Sequence, residues 1–505
     1  MNYRICSFVL LLLVASSTTA QEKGFLFTST DTDHSWLAKD AVETKSGNFI
    51  LGARNDWGNE ALLLKLSPEG ILLDEQILTA EDTTMLLTNV FYMPNGHYDD
   101  YVLLCPCEPN DGGTPGLIFI RFDDDLNVTL RKAVSCPFVE QGECFFSWSA
   151  IIMDSLVFVS FTVQQVDLPH QKSIVLAEMN SYGDFAHSKQ LDSISSVCNL
   201  FKNRQNKISL FGNLSQSHMG ILTFNESLQF VKRDSIFQWT EPEGFCGDLC
   251  RYYITDIINS QAVMLPNSSY MVSARLRESL SHANGYPYKD DQSVILAKYD
   301  SSFHQPEKMI LTEHMNDSTE YPAFFRSFDY RNTEKSDCEV FQCSILNEHP
   351  QLGLLQPFPT GIVVTKADQD LNIVWKKRYL TDGNYQAMTI NATSDGGCLV
   401  FGSVGDSQGQ RFTLFALKIN AEGFVGLDEF QEENMAFVYP NPSNGIIRIS
   451  GVEADKTLIY NTLGQHVISF RGNETNVETL TRGVYLMRIT DVDGKTQTLR
   501  VVITK

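Results

Sequence analysis

Basic residues are scarce in this sequence. Its 505 residues include 39 Lys and Arg against 61 Asp and Glu, which gives a formal net charge of -22 at pH 7. Nucleic-acid binding depends on clustered Lys and Arg that neutralise phosphates, so this composition excludes a nucleic-acid partner. After the N-terminal region there is also no apolar run approaching the ~20 residues that cross a bilayer. No membrane-spanning segment is therefore predicted.

Catalytic motifs are missing as well. The sequence contains no His-Glu-x-x-His pair, no Gly-x-Ser-x-Gly nucleophile turn and no phosphate-cradling glycine loop. Its ten histidines are scattered and never paired at metal spacing. A glycosidase would need two acidic residues held close together, and nothing in the sequence marks two of the 61. We therefore predict no catalytic, cofactor-binding or metal-binding residue, and the sequence favours a protein without enzymatic activity.

The chain begins with a basic residue and a short apolar run. Arg4 is followed by FVLLLLVA over Phe8–Ala15 and then by small residues up to Ala20. This order of charge, apolar run and small residues is typical of a secretory signal peptide. We predict that residues 1–20 are the signal peptide and that cleavage separates Ala20 from Gln21. The mature protein is expected beyond the inner membrane.

Ten of the eleven cysteines lie in the predicted mature chain, and all ten precede residue 399. An even number of cysteines in an exported protein favours disulfides. Three pairs are close enough in sequence to close short loops: Cys136–Cys144, Cys246–Cys250 and Cys338–Cys343. A zinc site is the alternative for closely spaced cysteines, but no histidine lies at ligand spacing beside them.

One sequence pattern recurs seven times in the body of the chain. Each copy has an apolar strand, a polar turn rich in Asp, Asn, Ser or Gly, and a second strand, as expected for a β-hairpin. The copies begin at Ala61, Gly116, Ser173, Met219, Ser293, Gly361 and Thr413. Another strand pair precedes several of them, most clearly at Ser46–Gly52 and Asp395–Gly402. One unit therefore contains about four strands.

Four-stranded units repeated in this way are typical of a β-propeller. We predict an all-β fold in which residues 21–427 form a propeller of about seven blades with four strands each. Six or eight blades, a β-solenoid and a series of β-sandwiches are the alternatives. The last unit, with VWKKRY, TSDGGCLVFGS and LFALKINAEGFVG between Val374 and Gly426, resembles the propeller repeats of exported Bacteroidetes proteins.

Two acidic runs coincide with the hairpin turns. DDDLN at Asp123–Asn127 and DQDLN at Asp368–Asn372 place oxygen atoms at alternate positions, as a calcium loop does. Both lack the glycine and the final glutamate of a helix-loop-helix calcium site. Because Asp and Asn are also the expected residues of a tight turn, ordinary turns are favoured.

The segment from Asn434 to Lys505 has a sequence pattern different from that of the repeats. It contains FVYPNPSNGIIRI, LIYNTLGQHVISF and GVYLMRI, in which short apolar strands stand beside proline or glycine turns. About seven short strands predict a small immunoglobulin-like β-sandwich. The charged stretch DEFQEE at residues 428–433 is the predicted linker. The strand pattern alone is also compatible with an adhesive or spacer domain.

The motifs of this segment resemble the type A sorting domain of the bacterial type IX secretion system. The positions that match the family are Pro440, Asn441, Pro442, Gly445, Gly464, Gly483 and Tyr485. The resemblance implies export through the periplasm to the outer cell surface or the medium. It also implies that the secretion machinery and its sorting peptidase are partners, and that these residues serve recognition and folding.

Two stretches, Phe237–Tyr253 and His314–Thr360, interrupt the repeat rhythm and are rich in aromatic residues. Long loops on a rigid scaffold often bind ligands, and aromatic faces suit sugars or peptides. The candidate ligand-binding residues are Trp239, Tyr252, Tyr253, Phe324 and Phe328; the alternative is that these rings only pack the insertions. We predict that the propeller is a binding scaffold for a glycan, a protein or host matrix. An extracellular hydrolase or lyase with its site in the central funnel is the alternative.

Overall fold

The computed structural model describes residues 24–29, 34–55, 58–80, 83–85, 89–95, 98–165, 172–191, 196–203, 205–215, 218–236, 250–254, 261–265, 267–280, 291–301, 306–314, 324–332, 338–346, 360–406, 411–425, 437–439, 443, 445–450, 452–461, 464–492 and 496–504. The chain divides into two compact units, Met1–Gly426 and Leu427–Lys505. The predicted cleavage positions Ala20 and Gln21 and the predicted linker 428–433 lie outside the described residues.

The described secondary structure of the first unit is β-strand throughout. In chain order the strands are β1 (Phe25–Thr28), β2 (Trp36–Glu43), β3 (Phe49–Asn55), β4 (Glu60–Leu66), β5 (Leu72–Thr79), β6 (Thr83–Met85), β7 (Asn89–Asn95), β8 (Tyr98–Pro109), β9 (Gly116–Asp123), β10 (Val128–Ser135), β11 (Glu143–Met153), β12 (Leu156–Gln165), β13 (Lys172–Met179), β14 (Phe185–Leu191), β15 (Ser196–Lys202), β16 (Ile208–Ser215), β17 (His218–Phe224), β18 (Phe230–Ile236), β19 (Cys250–Ile254), β20 (Gln261–Met264), β21 (Tyr270–Leu280), β22 (Asp291–Tyr299), β23 (Pro306–His314), β24 (Phe324–Asn332), β25 (Cys338–Leu346), β26 (Thr360–Asp368), β27 (Ile373–Ala392), β28 (Cys398–Gly405) and β29 (Phe412–Ile419).

These strands form seven antiparallel blades in which each strand pairs with the next along the chain. Blades 1 to 5 are β2–β5, β6–β10, β11–β14, β15–β18 and β19–β23. Two short strands share the first position in blades 2 and 5. Blade 6 contains β24, β25, β26 and the first half of the 20-residue β27, whose second half begins blade 7 with β28 and β29. The prediction of a seven-bladed propeller is confirmed.

The N-terminal strand completes the last blade. β1 pairs with β29 in the register Phe25↔Lys418 to Thr28↔Phe415, so the chain start supplies the outermost strand of blade 7. The seventh predicted hairpin, beginning at Thr413, is therefore wrong in its second half: residues 421–425 form a turn and an extended end without strand pairing. Because both ends of the unit meet in one blade, the ring is held closed by hydrogen bonds between distant parts of the chain.

Seven apolar clusters, one between each pair of neighbouring blades, form the core. The interface of blades 7 and 1, for example, combines Trp36 and Leu64 with Phe401 and Leu414. The other interfaces, from blades 1 and 2 round to blades 6 and 7, have equivalent clusters. Because inner strands such as β9 (GLIFIRFD) are covered on both faces, they read as continuous apolar runs. Outer strands such as β10 alternate between exposed and half-buried residues.

The turns that connect the third and fourth strands share one conformation. In DDDLN, Asp123 Oδ1 accepts hydrogen bonds from the backbone N–H groups of Asp125 and Asn127, both at 2.9 Å. Asp368 does the same in DQDLN. The fourth turn position has positive φ, which is filled by glycine in some blades and by Leu126 (59°) and Leu371 (56°) in others. Both acidic runs are therefore hairpin turns.

The leucines at this strained position are buried between blades. Leu126 lies in the cluster of blades 1 and 2, and Leu371 lies in the cluster of blades 5 and 6. A left-handed backbone costs a non-glycine residue about 1–2 kcal/mol, whereas burying a leucine side chain contributes about 1.5–3 kcal/mol. Apolar burial therefore outweighs the backbone strain at these turns.

A basic residue two positions before the turn links several blades to the next one. Lys65 Nζ donates to Asp124 O of blade 2 at 2.5 Å, and Lys366 Nζ donates to Ala421 O of blade 7 at 3.2 Å. Arg121 reaches Ser181 O of blade 3, and Lys298 pairs with Asp370 of blade 6 at 2.6 Å. We call these four contacts the blade clamps. In blades 3 and 4 the same position is Glu178 or Thr223, neither of which is a cation.

The second unit is a small β-sandwich, as predicted. Its strands are β30 (Phe437–Tyr439), β31 (Ile446–Ser450), β32 (Ala454–Asn461), β33 (His466–Phe470), β34 (Glu474–Asn476), β35 (Gly483–Asp491) and β36 (Thr496–Ile503). One sheet has the order β30-β31-β34 and the other β33-β32-β35-β36. Ile447 and Ile449 of the first sheet pack against Ile459, Met487 and Val501 of the second.

The structure corrects the cysteine pairing. Cys338 and Cys343 lie in the single strand β25. Five residues of strand span ~17 Å, whereas a disulfide joins Cα atoms ~4.4–6.8 Å apart, so this predicted pair is wrong. Cys136 and Cys144 are separate thiols, and the bond predicted between them is not formed. Cys246 lies outside the described residues, and the Cys246–Cys250 pair stays a prediction.

Candidate functional site in the central channel

The first strand of each blade surrounds the central channel. First strands of successive blades contact one another, for example β2 with β7 and β11 with β15. The last strands, such as β5 and β10, are instead exposed at the rim. Side chains that could meet a ligand inside the ring therefore come from the first strands.

Most of these first strands carry a β-bulge near their middle. The register shifts in five of them, at Ala38/Asp40, Phe145/Ser147, Val197/Asn199, Phe325/Ser327 and Ala387/Thr389. A bulge adds a residue to one strand and re-aims the side chains beside it. Here it places polar residues next to the neighbouring blade.

Four of these polar residues accept hydrogen bonds from the first strand of a following blade. The contacts are Val90 N to Asp40 Oδ2 at 3.2 Å, Leu200 N to Ser149 Oγ at 2.9 Å, Ala262 N to Asn199 Oδ1 at 2.9 Å and Ala392 N to Asp329 Oδ2 at 2.9 Å. We call Asp40, Ser149, Asn199 and Asp329 the polar collar. Since each bond satisfies a backbone donor on the inner edge of a first strand, the collar fixes adjacent first strands against each other.

Two collar members are carboxylates in the same electrostatic environment. Asp40 accepts from Asn89 Nδ2 at 2.9 Å and from the N–H of Ala41 at 2.9 Å, in addition to Val90. Burial nevertheless raises the pKa of Asp40 from 3.8 to about 7, and the negative charge of Asp329 adds to the rise. The hydrogen bonds that the carboxylate accepts oppose this shift. Asp40 is thus close to half protonated at neutral pH.

A cavity of about 260 Å³ opens beside the collar among blades 2 to 5. It is lined by Asn89, Trp148, Ser149, Ala150, Asn199, Leu200, Gln261 and Val263. The lining has one large aromatic ring, three amide side chains and no charged residue. The Asn199 amide also donates to Ala262 O at 2.8 Å, so two backbone contacts hold its orientation. The cavity wall is therefore built from strands and is rigid.

Four of the five predicted aromatic ligand residues lie in strands of blades 5 and 6. Trp239 lies outside the described residues. Tyr252 and Tyr253 belong to β19, and Phe324 and Phe328 belong to β24. The expectation that these four residues lie in long loops is wrong, because the insertions themselves contain the first strands of blades 5 and 6. The alternation in FFRSFDYRN is a strand period that could have indicated this.

No sequence motif indicated the cavity or the collar. Asn89, Trp148, Asn199 and Gln261 come from four different blades, and no two are close in sequence. The available signal was the polar residue that breaks each otherwise apolar first strand. It becomes a signal only after the blades have been aligned on one another.

In the second unit the structure describes four of the seven predicted sorting positions. Gly464 has a φ of 74° in the turn after Asn461, where a side chain would strain the backbone. Tyr485 is buried, and its hydroxyl donates to Thr481 O at 2.9 Å. Gly445 directly precedes β31, and Gly483 is the first residue of β35. Pro440, Asn441 and Pro442 lie outside the described residues.

Residues 437–504, which comprise this sandwich, match the family described as the secretion system C-terminal sorting domain. This tail is a type IX sorting domain. A chain with a type IX sorting domain is exported to the cell surface or released outside the cell. No helix within the described ranges is long and apolar enough to cross a membrane.

Solved structures show a general likeness to the chain. An α-L-arabinofuranosidase from Fusarium graminearum is 8% identical with a TM-score of 0.43, covering 79% of this chain and 97% of its own. A virginiamycin B lyase from Staphylococcus aureus is 7% identical with a TM-score of 0.41, covering 79% and 100%. The Pan2 WD40 domain of Neurospora crassa is 8% identical with a TM-score of 0.38, covering 81% and 98%. No curated protein matches the sequence.

Proposed function

We propose that the propeller is an extracellular binding domain that holds a neutral, hydroxyl-rich ligand, such as the end of a glycan chain, in the channel cavity. The lining of the cavity supports this proposal, since it combines Trp148 with the amides of Asn89, Asn199 and Gln261 and contains no charge. Amides both donate and accept hydrogen bonds, as sugar hydroxyls do. An indole ring offers an apolar face to the C–H face of a sugar.

The size of the cavity favours a small ligand end over a protein loop. Its volume of about 260 Å³ is slightly below the ~300–1,000 Å³ typical of sites for drug-sized molecules. Because the walls are strands fixed by the collar, little ordering accompanies binding, which favours affinity. A protein or matrix partner would instead use the outer loops.

Screening the full chain against an array of neutral glycans tests the proposal. We expect binding that Trp148→Ala weakens about tenfold, equivalent to ~1.4 kcal/mol, while Trp148→Phe retains it to within about threefold. Because Trp148 also packs against the cluster of blades 2 and 3, thermal melting of both variants reports whether each one is folded under the assay conditions. The proposal fails if no neutral glycan binds above background, or if Trp148→Ala binds as well as wild type.

Hydrolysis or lyase chemistry in the channel is the second candidate. The observation that favours it is the raised pKa of Asp40, about 7, to which the charge of a second first-strand carboxylate, Asp329, contributes. A general acid needs a pKa near the working pH, and glycoside hydrolysis uses a carboxyl pair. Reducing-end release from a polysaccharide panel should then be lost at least 100-fold in both Asp40→Asn and Asp329→Asn. No release by the wild-type chain, or full activity in either variant, removes this candidate.

A further inference from the structure

The four-stranded sheet of the sorting domain has one face buried in the sandwich and one face turned outward. Along β35 the two sets alternate: Tyr485, Met487 and Ile489 are buried, whereas Val484, Leu486 and Arg488 are exposed. Cross-strand pairing extends the outward set, since Tyr460 lies opposite Leu486 and Leu458 lies opposite Arg488. Val502 lies opposite Val484. These positions form one continuous surface, which we call the outward face.

The centre of the outward face is apolar. Val484 and Leu486 are 41% and 45% exposed, and Val467 on β33 is 38% exposed. Tyr460 is half-buried beside them, with its ring 5.8 Å from that of His466. Isolated exposed apolar residues are ordinary, but adjacent ones on three strands of one sheet are the usual signature of a protein–protein contact.

The charge of the outward face is mainly basic. Lys456 and Arg488 are exposed at its edge, and the exposed acidic residue among the described side chains of the four strands is Asp455, at the bulge beside Lys456. This contrasts with the chain as a whole. Residues 437–505 contain eight Lys and Arg against six Asp and Glu, whereas the full chain has a net charge of -22. A surface with more basic than acidic side chains in such an acidic protein is complementary to an acidic partner.

We propose that the outward face, centred on Tyr460, Val484 and Leu486 and bordered by Lys456 and Arg488, is the surface by which an acidic component of the type IX secretion machinery holds the sorting domain. The partner follows from the identity of the domain, which brings the chain to that machinery. Its chemistry follows from the face: an apolar centre rimmed by carboxylates. The buried side of the same sheet is unavailable, because it packs against Ile447 and Ile449 in the sandwich core.

The sorting domain offers a matched control. Ile446, on the other sheet, is 45% exposed, the same fraction as Leu486. Leu486→Asp and Ile446→Asp therefore place the same charge at sites of equal exposure on opposite sheets. Arg488→Glu has an equivalent partner in Arg448→Glu, since Arg448 pairs with Glu474 on the three-stranded sheet.

The experiment expresses the full chain in a bacterium that carries a type IX system and measures surface display with an antibody against the propeller, together with the periplasmic fraction. We expect Leu486→Asp and Arg488→Glu to lower display at least tenfold and to accumulate in the periplasm. Ile446→Asp and Arg448→Glu should stay within about twofold of wild type. Melting of the purified full-length variants reports whether each one folds.

Normal display of Leu486→Asp overturns the proposal, and so does an equal loss of display in Leu486→Asp and Ile446→Asp. If Leu486→Asp does not fold, Arg488→Glu and the milder Val484→Ser decide the outcome, and normal display of both overturns it. If the control variants Ile446→Asp and Arg448→Glu lower display as strongly as the outward-face variants do, the whole domain is sensitive to substitution. That result contradicts a specific face.

Discussion

Six of the seven blade interfaces of the propeller are of two kinds; at the seventh, between blades 7 and 1, Lys418 stands at the clamp position and pairs with Asp395 of its own blade. Blades 1 and 2, 2 and 3, 5 and 6, and 6 and 7 are joined by a clamp in which Lys65, Arg121, Lys298 or Lys366 reaches the next turn. At the interfaces of blades 3 and 4 and of blades 4 and 5, Glu178 or Thr223 stands at that position. These two interfaces have their apolar clusters and the collar contacts of Ser149 and Asn199, and Lys232 of blade 4 interacts with Tyr270 of blade 5.

The cavity lies next to two interfaces that have no clamp. Its lining comes from blades 2 to 5, which include the interfaces of blades 3 and 4 and of blades 4 and 5. The polar collar also differs between the two parts of the ring. Its members in blades 3 and 4, Ser149 and Asn199, are neutral, whereas its members in blades 1 and 6, Asp40 and Asp329, are acidic. The arc that lines the cavity therefore lacks the basic clamp at two of its interfaces, whereas the arc from blade 5 to blade 7 has it at both.

Removing a clamp should have the largest effect. Lys366 is buried, donates to Gly396 O and Ala421 O, and pairs with Glu339 at 2.8 Å. Lys366→Met leaves these acceptors without the buried cation, which typically costs about 3–5 kcal/mol. Denaturant unfolding of the full chain should show the loss. Lys376→Met, at an exposed position of β27, should change stability by less than about 0.5 kcal/mol; equal effects would contradict a role for the clamp.

The acidic side of the collar should respond to pH. The folded pKa of Asp40, about 7, is above its ordinary value of 3.8, so the unfolded chain loses this proton first. The contribution of neutral Asp40 to the free energy of unfolding is fully present below about pH 4 and is lost as the pH rises through 7. The loss amounts to about 2–4 kcal/mol. Thermal melting from pH 5 to 8 should show it in wild type and not in Asp40→Asn; identical profiles would refute this.

The turn leucines should discriminate burial from backbone strain. Leu371→Gly relieves the positive φ but removes a side chain from the cluster of blades 5 and 6, and we expect a net loss of about 1–3 kcal/mol. Asn206 has a φ of 54° at an exposed turn position. Asn206→Gly should therefore leave stability unchanged or raise it by a few tenths of a kcal/mol. Stabilisation by Leu371→Gly would show that strain dominates.

The smallest effect is expected from adding a clamp. Glu178 occupies the clamp position of blade 3, and the backbone carbonyl of Glu226 is the equivalent acceptor in the turn of blade 4. Glu178→Lys should stabilise the propeller by about 0.5–1 kcal/mol, although it removes the Glu178–His187 pair. His187→Ala measures the worth of that pair separately. If Glu178→Lys destabilises the propeller by more than His187→Ala does, a clamp cannot be transferred to this position.

The sequence predicted the repeated architecture because the third strand, the clamp residue and the Asx turn are contiguous in the chain. It could not predict that Phe25–Thr28 pairs with β29, since that contact joins segments about 390 residues apart. The cavity could not be predicted from the sequence for the same reason. Trp148 and Asn199 are unremarkable in their own strands and become a site only when the ring places them together. The sorting domain could be predicted from the sequence because the residues of each of its motifs are close together in the chain.

Hydrogen exchange on the full chain, followed by mass spectrometry, tests the two kinds of interface most directly. Amides in the middle strands of each blade exchange only when that part of the ring opens. If interfaces without a clamp open more easily, the backbone amides of β12, β13, β16 and β17 in blades 3 and 4 should exchange before those of β3, β4, β25 and β26 in blades 1 and 6. Uniform exchange, or earlier exchange in blades 1 and 6, would contradict it.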